Sequence, residues 1–236
     1  DDVISAGIKT LTSSYLAGDL GNDTISLLAT SLYQTTIYGD NSTTSGGADV
    51  INLATAATGL NEVSVYGGSG NDTFRLTDGI TDVVKTSYFQ ANAGADSLLF
   101  SGSALSSTVR GGAGNDTLYI SYSGSGGSLA SQFFGDKGAD NFSVGTAFGA
   151  STIYGDHDAD GSGGGSDTIL ATNISNSVLV YAGEGNDTIS ATGGSTSTLY
   201  GGAGADSLYI GTGASAKIYG ETGNDTLGLG AAGTTT

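Results

Sequence analysis

The 236-residue chain has no proline, cysteine, methionine or tryptophan, one histidine, and only six Lys and Arg together. Without cysteine there is no disulfide and no thiolate metal site. Six basic residues face 23 acidic ones, giving a net charge of −17. That balance excludes nucleic acid as a natural partner, because phosphate binding needs a basic footprint. No apolar run approaches the ~20 residues that span a bilayer, so membrane insertion is not expected. A lone histidine without cysteine is a poor catalytic candidate, and His157 reads as a solvated side chain. No signal peptide is legible and the first residue is Asp1, so the chain reads as an excised or processed piece of a longer array.

What is abundant is glycine, 42 residues of it. It lacks the three-residue period of collagen. Apolar residues make up 37% and recur regularly, which argues against wholesale disorder. The glycines sit in one repeated phrase, a glycine turn ending in Asn-Asp or Ala-Asp, then Thr or Ser, then an apolar residue. It reads GGSGNDTFRL at 67–76, GGAGNDTLYI at 111–120, AGEGNDTIS at 182–190, GGAGADSLYI at 201–210 and GETGNDTLGL at 220–229, with looser copies between. A fixed phrase at this period signals a repeat architecture.

The phrase places an aspartate at 2, 23, 49, 72, 96, 116, 140, 167, 187, 206 and 225, at intervals of 19 to 27 residues. If each repeat is one coil of a solenoid, equivalent residues stack ~4.7–4.9 Å apart. The eleven carboxylates then form one column of like charges, which destabilises the fold unless cations sit between its members.

Polar–apolar–aromatic triplets such as Thr36-Ile37-Tyr38, Thr152-Ile153-Tyr154 and Thr198-Leu199-Tyr200 precede the turn, and alternation such as Thr117-Leu118-Tyr119-Ile120 follows it. Period-two runs bounded by glycine predict strands. The expected core is a stack of Ile37, Val65, Phe89, Val109, Phe133, Ile153, Val180, Leu199 and Ile218. It faces Ile25, Ile51, Phe74, Leu98, Leu118, Phe142, Ile169, Ile189, Leu208 and Leu227. Tyr38, Tyr66, Phe134, Tyr154, Tyr181, Tyr200 and Tyr219 are expected to point outward, stacked along the ladder. Glycine in the turn permits positive φ and lets backbone carbonyls converge with the aspartates. Such hard oxygens suit Ca2+.

These residues resemble the RTX family of calcium-binding β-rolls, whose nonapeptide is G-G-x-G-x-D-x-U-x with U a large apolar residue. Gly111-Gly112-Ala113-Gly114-Asn115-Asp116-Thr117-Leu118-Tyr119 agrees at every specified position, as do the copies starting at Gly67 and Gly201. The resemblance implies an all-β, right-handed parallel β-solenoid of about ten coils, ~50 Å long, forming one domain over 1–236. It also implies Ca2+ held by the eleven column aspartates and turn carbonyls, including those of Gly67, Gly68, Gly70, Gly111, Gly112, Gly114, Gly201, Gly202 and Gly204. Ten intervals between eleven aspartates set an upper bound of about ten ions. The family's standard roll carries two calcium turns per coil. One motif per 19–27 residues here predicts calcium on one edge and a plainer, longer turn on the other.

Two insertions interrupt the array, near 40–46 and 156–166. In the second, Asp156, Asp158 and Asp160 precede Gly161, and Asp167 stands at loop position twelve. That is the D-x-D-x-D-G opening of an EF-hand-type loop with Asp in place of Glu, predicting one further Ca2+, against the plainer alternative of a solvated polar insertion. Asp40-Asn41-Ser42 is a weaker echo of it. Arg75 and Arg110 read as local charge partners.

The expected role is structural rather than catalytic: a calcium-stiffened rod of an extracellular, cell-surface or virion-surface protein such as an S-layer, adhesin, matrix filament or fibre. The alternatives are a calcium-binding appendage of a secreted polysaccharide-active enzyme or toxin, and a glycan- or ice-binding module using the Tyr or Thr rows. Expected partners are calcium, with glycans or self-association end to end or laterally.

Overall fold

Alternating apolar residues on both sides of a glycine turn give strands that bury one face, and the strands after and before the turn form two parallel ladders. The computed structural model describes residues 1–42, 44–55, 59–76, 84–102, 105–122, 131–145, 151–157, 163–174, 178–193, 196–211 and 215–230. The front ladder is made of the strands that follow each aspartate. It includes Thr24–Tyr33, Val50–Thr55, Thr73–Leu76, Ser97–Gly102, Thr117–Tyr122 and Asn141–Gly145. The back ladder precedes the turns and includes Ser64–Ser69, Val84–Ala93, Leu105–Ala113, Gln132–Lys137 and Val178–Glu184. Every described ladder pairing is parallel and joins equivalent strands of successive coils. Leu118 lies between Leu98 and Phe142, and Val109 between Phe89 and Phe133. There is no helix among the described residues. The fold is an all-β parallel solenoid, as the repeat predicts.

In-register pairing converts sequence period into columns. The expected inward residues form one continuous core, with Ile37, Val65, Phe89, Val109, Phe133, Phe142 and Leu199 fully buried. The last coil departs from this. Leu227 is 51% exposed and Ile218 only partly buried, because no described coil covers them.

The aromatic column stacks in two runs rather than one. Tyr38 and Tyr66 stack at 4.8 Å, and Phe134, Tyr154, Tyr181, Tyr200 and Tyr219 form the second run at 4.8–5.3 Å. Between the runs the register supplies Gln90 and Arg110. Phe134 keeps its outward column position but is covered, because the Arg110 guanidinium lies 4.4 Å from its ring centroid while pairing with Asp136. His157, expected to be merely solvated, meets the rings of Phe134 and Tyr154 edge-on at 4.8 and 5.1 Å.

The two edges of the solenoid differ. On the edge opposite the aspartates, Ser107 and Ser151 hydroxyls accept the backbone N–H of Ser87 and Ser131, each at 3.2 Å. Ser87 does the same for Val63 at 3.1 Å. These buried serines make a neutral ladder that satisfies the backbone without a cation.

Candidate metal centre

The aspartate edge is built from three positions of the turn: the first glycine, the fourth-position glycine and the aspartate. The fourth position is glycine throughout, at 21, 47, 70, 94, 114, 138, 165, 185, 204 and 223. The carbonyl of each coil lies against the Cα of the next. A Cβ on Gly70 would be 1.9 Å from the Gly47 oxygen, on Gly114 1.8 Å from that of Gly94, and on Gly204 1.6 Å from that of Gly185. Gly70, Gly114 and Gly204 also hold φ of +122°, +138° and +149°, a region open to glycine alone at little cost. Gly68, Gly112 and Gly202, the second glycines, have φ of +120°, +119° and +108°.

The aspartates form a ladder. The backbone N–H of Asp49 donates to Asp72 Oδ1 at 2.9 Å, that of Asp96 to Asp116 Oδ1 at 2.8 Å, and that of Asp116 to Asp140 Oδ1 at 2.7 Å. The relation runs on through Asp167, Asp187 and Asp206 to Asp225. At the other end Asp23 Oδ1 accepts from Asp2 N–H, and the Asp1 ammonium lies 3.8 Å from the same oxygen. Asp2 is exposed and Asp225 half-buried; the nine aspartates between them are buried. In all nine, Oδ2 has no hydrogen-bond partner.

Those orphan oxygens face the first glycine of their own turn. A Cβ on Gly67 would be 2.2 Å from Asp72 Oδ2 and 2.5 Å from the Ala91 carbonyl oxygen. On Gly135 it would be 2.1 Å from Asp140 Oδ2 and 2.6 Å from the Gly155 oxygen. Gly111 and Gly201 stand in the same relation to Asp116 and Asp206. The space a side chain would fill is therefore shared by a carboxylate oxygen and, in several turns, the carbonyl oxygen of the next coil. Two turns depart: Ala91 and Ala182 stand where the others have the first glycine, before Asp96 and Asp187.

Magnitudes decide what must occupy this edge. Adjacent full charges at strand spacing repel by about 3–4 kcal/mol at an effective dielectric of about 20. One hydrogen bond to a charged group returns only about 1.5–3 kcal/mol. The carboxylates must be neutralised, by protons or by cations. Burial, opposed by the ladder bond and reinforced by neighbouring aspartates, pushes Asp72 and Asp140 up to about 8 and Asp167 to about 9. Burial likewise raises Asp116 and Asp187 to about 7, and Asp49 and Asp96 to about 6. A divalent cation with hard-oxygen preference relieves both burial and repulsion, and an all-oxygen donor set of carboxylates and carbonyls suits Ca2+.

Of the EF-hand-type loop, Asp158 and Asp160 lie outside the described residues. Asp156 accepts backbone N–H groups on both oxygens, from Gly165 at 3.3 Å and Glu184 at 2.8 Å. Asp167 is a column member whose Oδ1 accepts from Asp140 N–H at 2.7 Å.

Two contributors to this edge lie outside the motif's specified positions. Asn22, Asn71, Asn115 and Asn186 each accept, through Oδ1, the N–H of an alanine in the next coil: Ala48, Ala95, Ala139 and Ala205, at 2.7–3.0 Å. The signal was in the sequence, as alternation of Asn-Asp with Ala-Asp from turn to turn. The other contributor is Asp40, buried beside the column.

Among known protein families, the RTX calcium-binding nonapeptide repeat matches in four copies, over residues 63–80, 101–119 and 181–216. Searches of curated proteins and of solved structures each found no match. The matched stretches hold Asp72, Asp116, Asp187 and Asp206, four of the turns that build the edge described above, and the chain thus carries RTX calcium-binding nonapeptide repeats there, with calcium the cation of its aspartate edge.

Proposed function

We propose that this chain is a calcium-stiffened structural rod of an extracellular or cell-surface protein. The observation that carries the reading is the row of nine buried aspartate oxygens without partners, one per coil along a single edge. Each coil contributes part of a cation site and obtains the rest from its neighbour, so filling the sites couples coil to coil. A fold that buries this many carboxylates gains the binding free energy of its ions as folding free energy. Such a chain stays loose where free calcium is scarce and becomes rigid where it is millimolar, which suits a protein that works outside the cell. The reading is non-catalytic: nine of the eleven buried aspartates among the described residues belong to the column, and Arg110 is paired with Asp136.

Circular dichroism and limited proteolysis with chelator and with millimolar calcium test this. The expected result is a β-rich, protease-resistant chain in calcium and loss of both properties in chelator. Identical spectra in the two conditions overturn it.

A further inference from the structure

The insertion that begins at Asp40 brings a third carboxylate against two members of the column. Asp40 occupies the position that is Gly68, Gly112 or Gly202 in other turns, as the registers through Tyr38, Tyr66 and Gln90 place it. Its side chain turns inward and is 2% exposed. Oδ2 accepts the N–H of Gly47 at 2.9 Å and so ties the neck of the insertion. Gly46 at that neck has no room for a side chain, since a Cβ there would be 1.6 Å from the same oxygen. Oδ1 is buried and has no hydrogen-bond partner.

Asp23 and Asp49, each 1% exposed, carry orphan Oδ2 atoms of their own. One carboxylate oxygen from each of the three residues lies within 4.8 Å of the other two. The Asp1 ammonium approaches Asp23 only on its other oxygen, Oδ1. Carbonyl oxygens adjoin the cluster: that of Ser69 would be 2.6 Å from a Cβ on Gly46, and that of Gly67 2.7 Å from one on Gly39. The second insertion is the internal contrast, because Asp156 spends both oxygens on backbone N–H groups.

We propose that Asp23, Asp40 and Asp49 form a three-carboxylate cation site that binds calcium more tightly than any two-carboxylate interval of the column. The proposal rests on the calcium reading of the edge and adds a ligand that the repeat motif does not contain. The chemistry is direct: ligand charge count tunes the affinity of oxygen sites for Ca2+, and this site carries one more negative charge than its neighbours. A third carboxylate also suits a trivalent lanthanide, and Tyr38, two residues from Asp40, stands where it can sensitise terbium emission.

The test is calorimetry with calcium chloride on the chain and on its D40N and D156N variants, with terbium luminescence excited through tyrosine as a second readout. Asn retains an acceptor for Gly47, so the neck stays closed. The expected result is one tight calcium site in the parent chain that weakens about tenfold or more in D40N and persists in D156N. Equal numbers and affinities of tight sites in the parent and in D40N overturn the proposal while leaving the calcium edge intact. No calcium binding by the parent chain overturns the edge itself. Should D40N not fold at any calcium concentration, anomalous scattering from terbium-soaked crystals of the parent chain decides. A peak among the three carboxylates supports the site, and its absence there overturns it.

Discussion

The backbone N–H of Asp116 donates to Oδ1 of Asp140 at 2.7 Å, while Oδ2 of Asp140 is buried without a partner. One oxygen thus joins two coils and the other is left for an ion, so the two roles separate in a D140N variant. Asn keeps the acceptor for Asp116 and removes the charge. In chelator the variant should be more stable than the parent, since it removes the cost of burying a charge and, secondarily, repulsion from Asp116. In saturating calcium it should be less stable, on the order of 3 kcal/mol, the scale of breaking a buried charge interaction. Residual β-sheet ellipticity in chelator and denaturant midpoints in calcium check this, and a change of the same sign in both would contradict it.

The raised carboxyls set the pH response. Their unfolded value is near 3.8, and the folded values run from about 6 for Asp96 to about 9 for Asp167. Between those limits the calcium-free fold holds protons that the unfolded chain has released. By linkage its stability is greatest below about pH 4 and falls as pH rises to about 9, where the loss is complete. Calcium replaces those protons, so its affinity should rise over the same window. In chelator, β-sheet ellipticity should be larger at pH 5 than at pH 9; in calcium, the midpoint calcium concentration should fall with pH. A midpoint calcium concentration that rises with pH would refute the exchange of protons for ions.

Most of this edge was legible because parallel in-register stacking turns a period into a column. Once Asp72, Asp96 and Asp116 were aligned, their burial on one edge followed, as did the inward stack through Phe89, Val109 and Phe133. The serine ladder escaped for a physical reason. Ser87, Ser107, Ser131 and Ser151 each lie two residues before a core residue, but serine is so common in loops that only the observed N–H bonds single them out. Phe134 takes the outward column position that alternation assigns it, but its burial was not legible because Arg110 from the preceding coil closes over it. Asp40 reaches Asp23 and Asp49 from the second-glycine position of its turn, where the nonapeptide specifies no carboxylate.

The two glycine positions do different work, which single alanine substitutions should separate. Gly114 holds φ of +138° with the Gly94 carbonyl where its Cβ would be, at 1.8 Å. G114A forces two coils apart and should cost about 3 kcal/mol or more with or without calcium. At Gly111 the obstacle is Asp116 Oδ2, 2.2 Å from a Cβ, and the chain already carries alanine at the equivalent positions 91 and 182. G111A should therefore fold, with its loss concentrated in calcium affinity. Comparing calcium isotherms with protease resistance in saturating calcium distinguishes the two.

The asparagine bonds run opposite to the aspartate ladder. Asp116 accepts on Oδ1 from Asp96 in the coil before, whereas Asn115 Oδ1 accepts from Ala139 in the coil after, at 3.0 Å. Adjacent side chains thus join one coil to both of its neighbours. Alanine alternates with asparagine from turn to turn, interrupted at Ser166, and leaves the asparagine contacts in pairs, Asn71 with Ala95 and Asn115 with Ala139. N115A removes one such bond at an exposed site and should cost about 1 kcal/mol. Because the asparagine oxygen is committed to an N–H, the number of calcium ions bound should not change. A denaturant midpoint shift with an unaltered ion count is the expected pair of results; loss of an ion in N115A would reassign Asn115 as a calcium ligand.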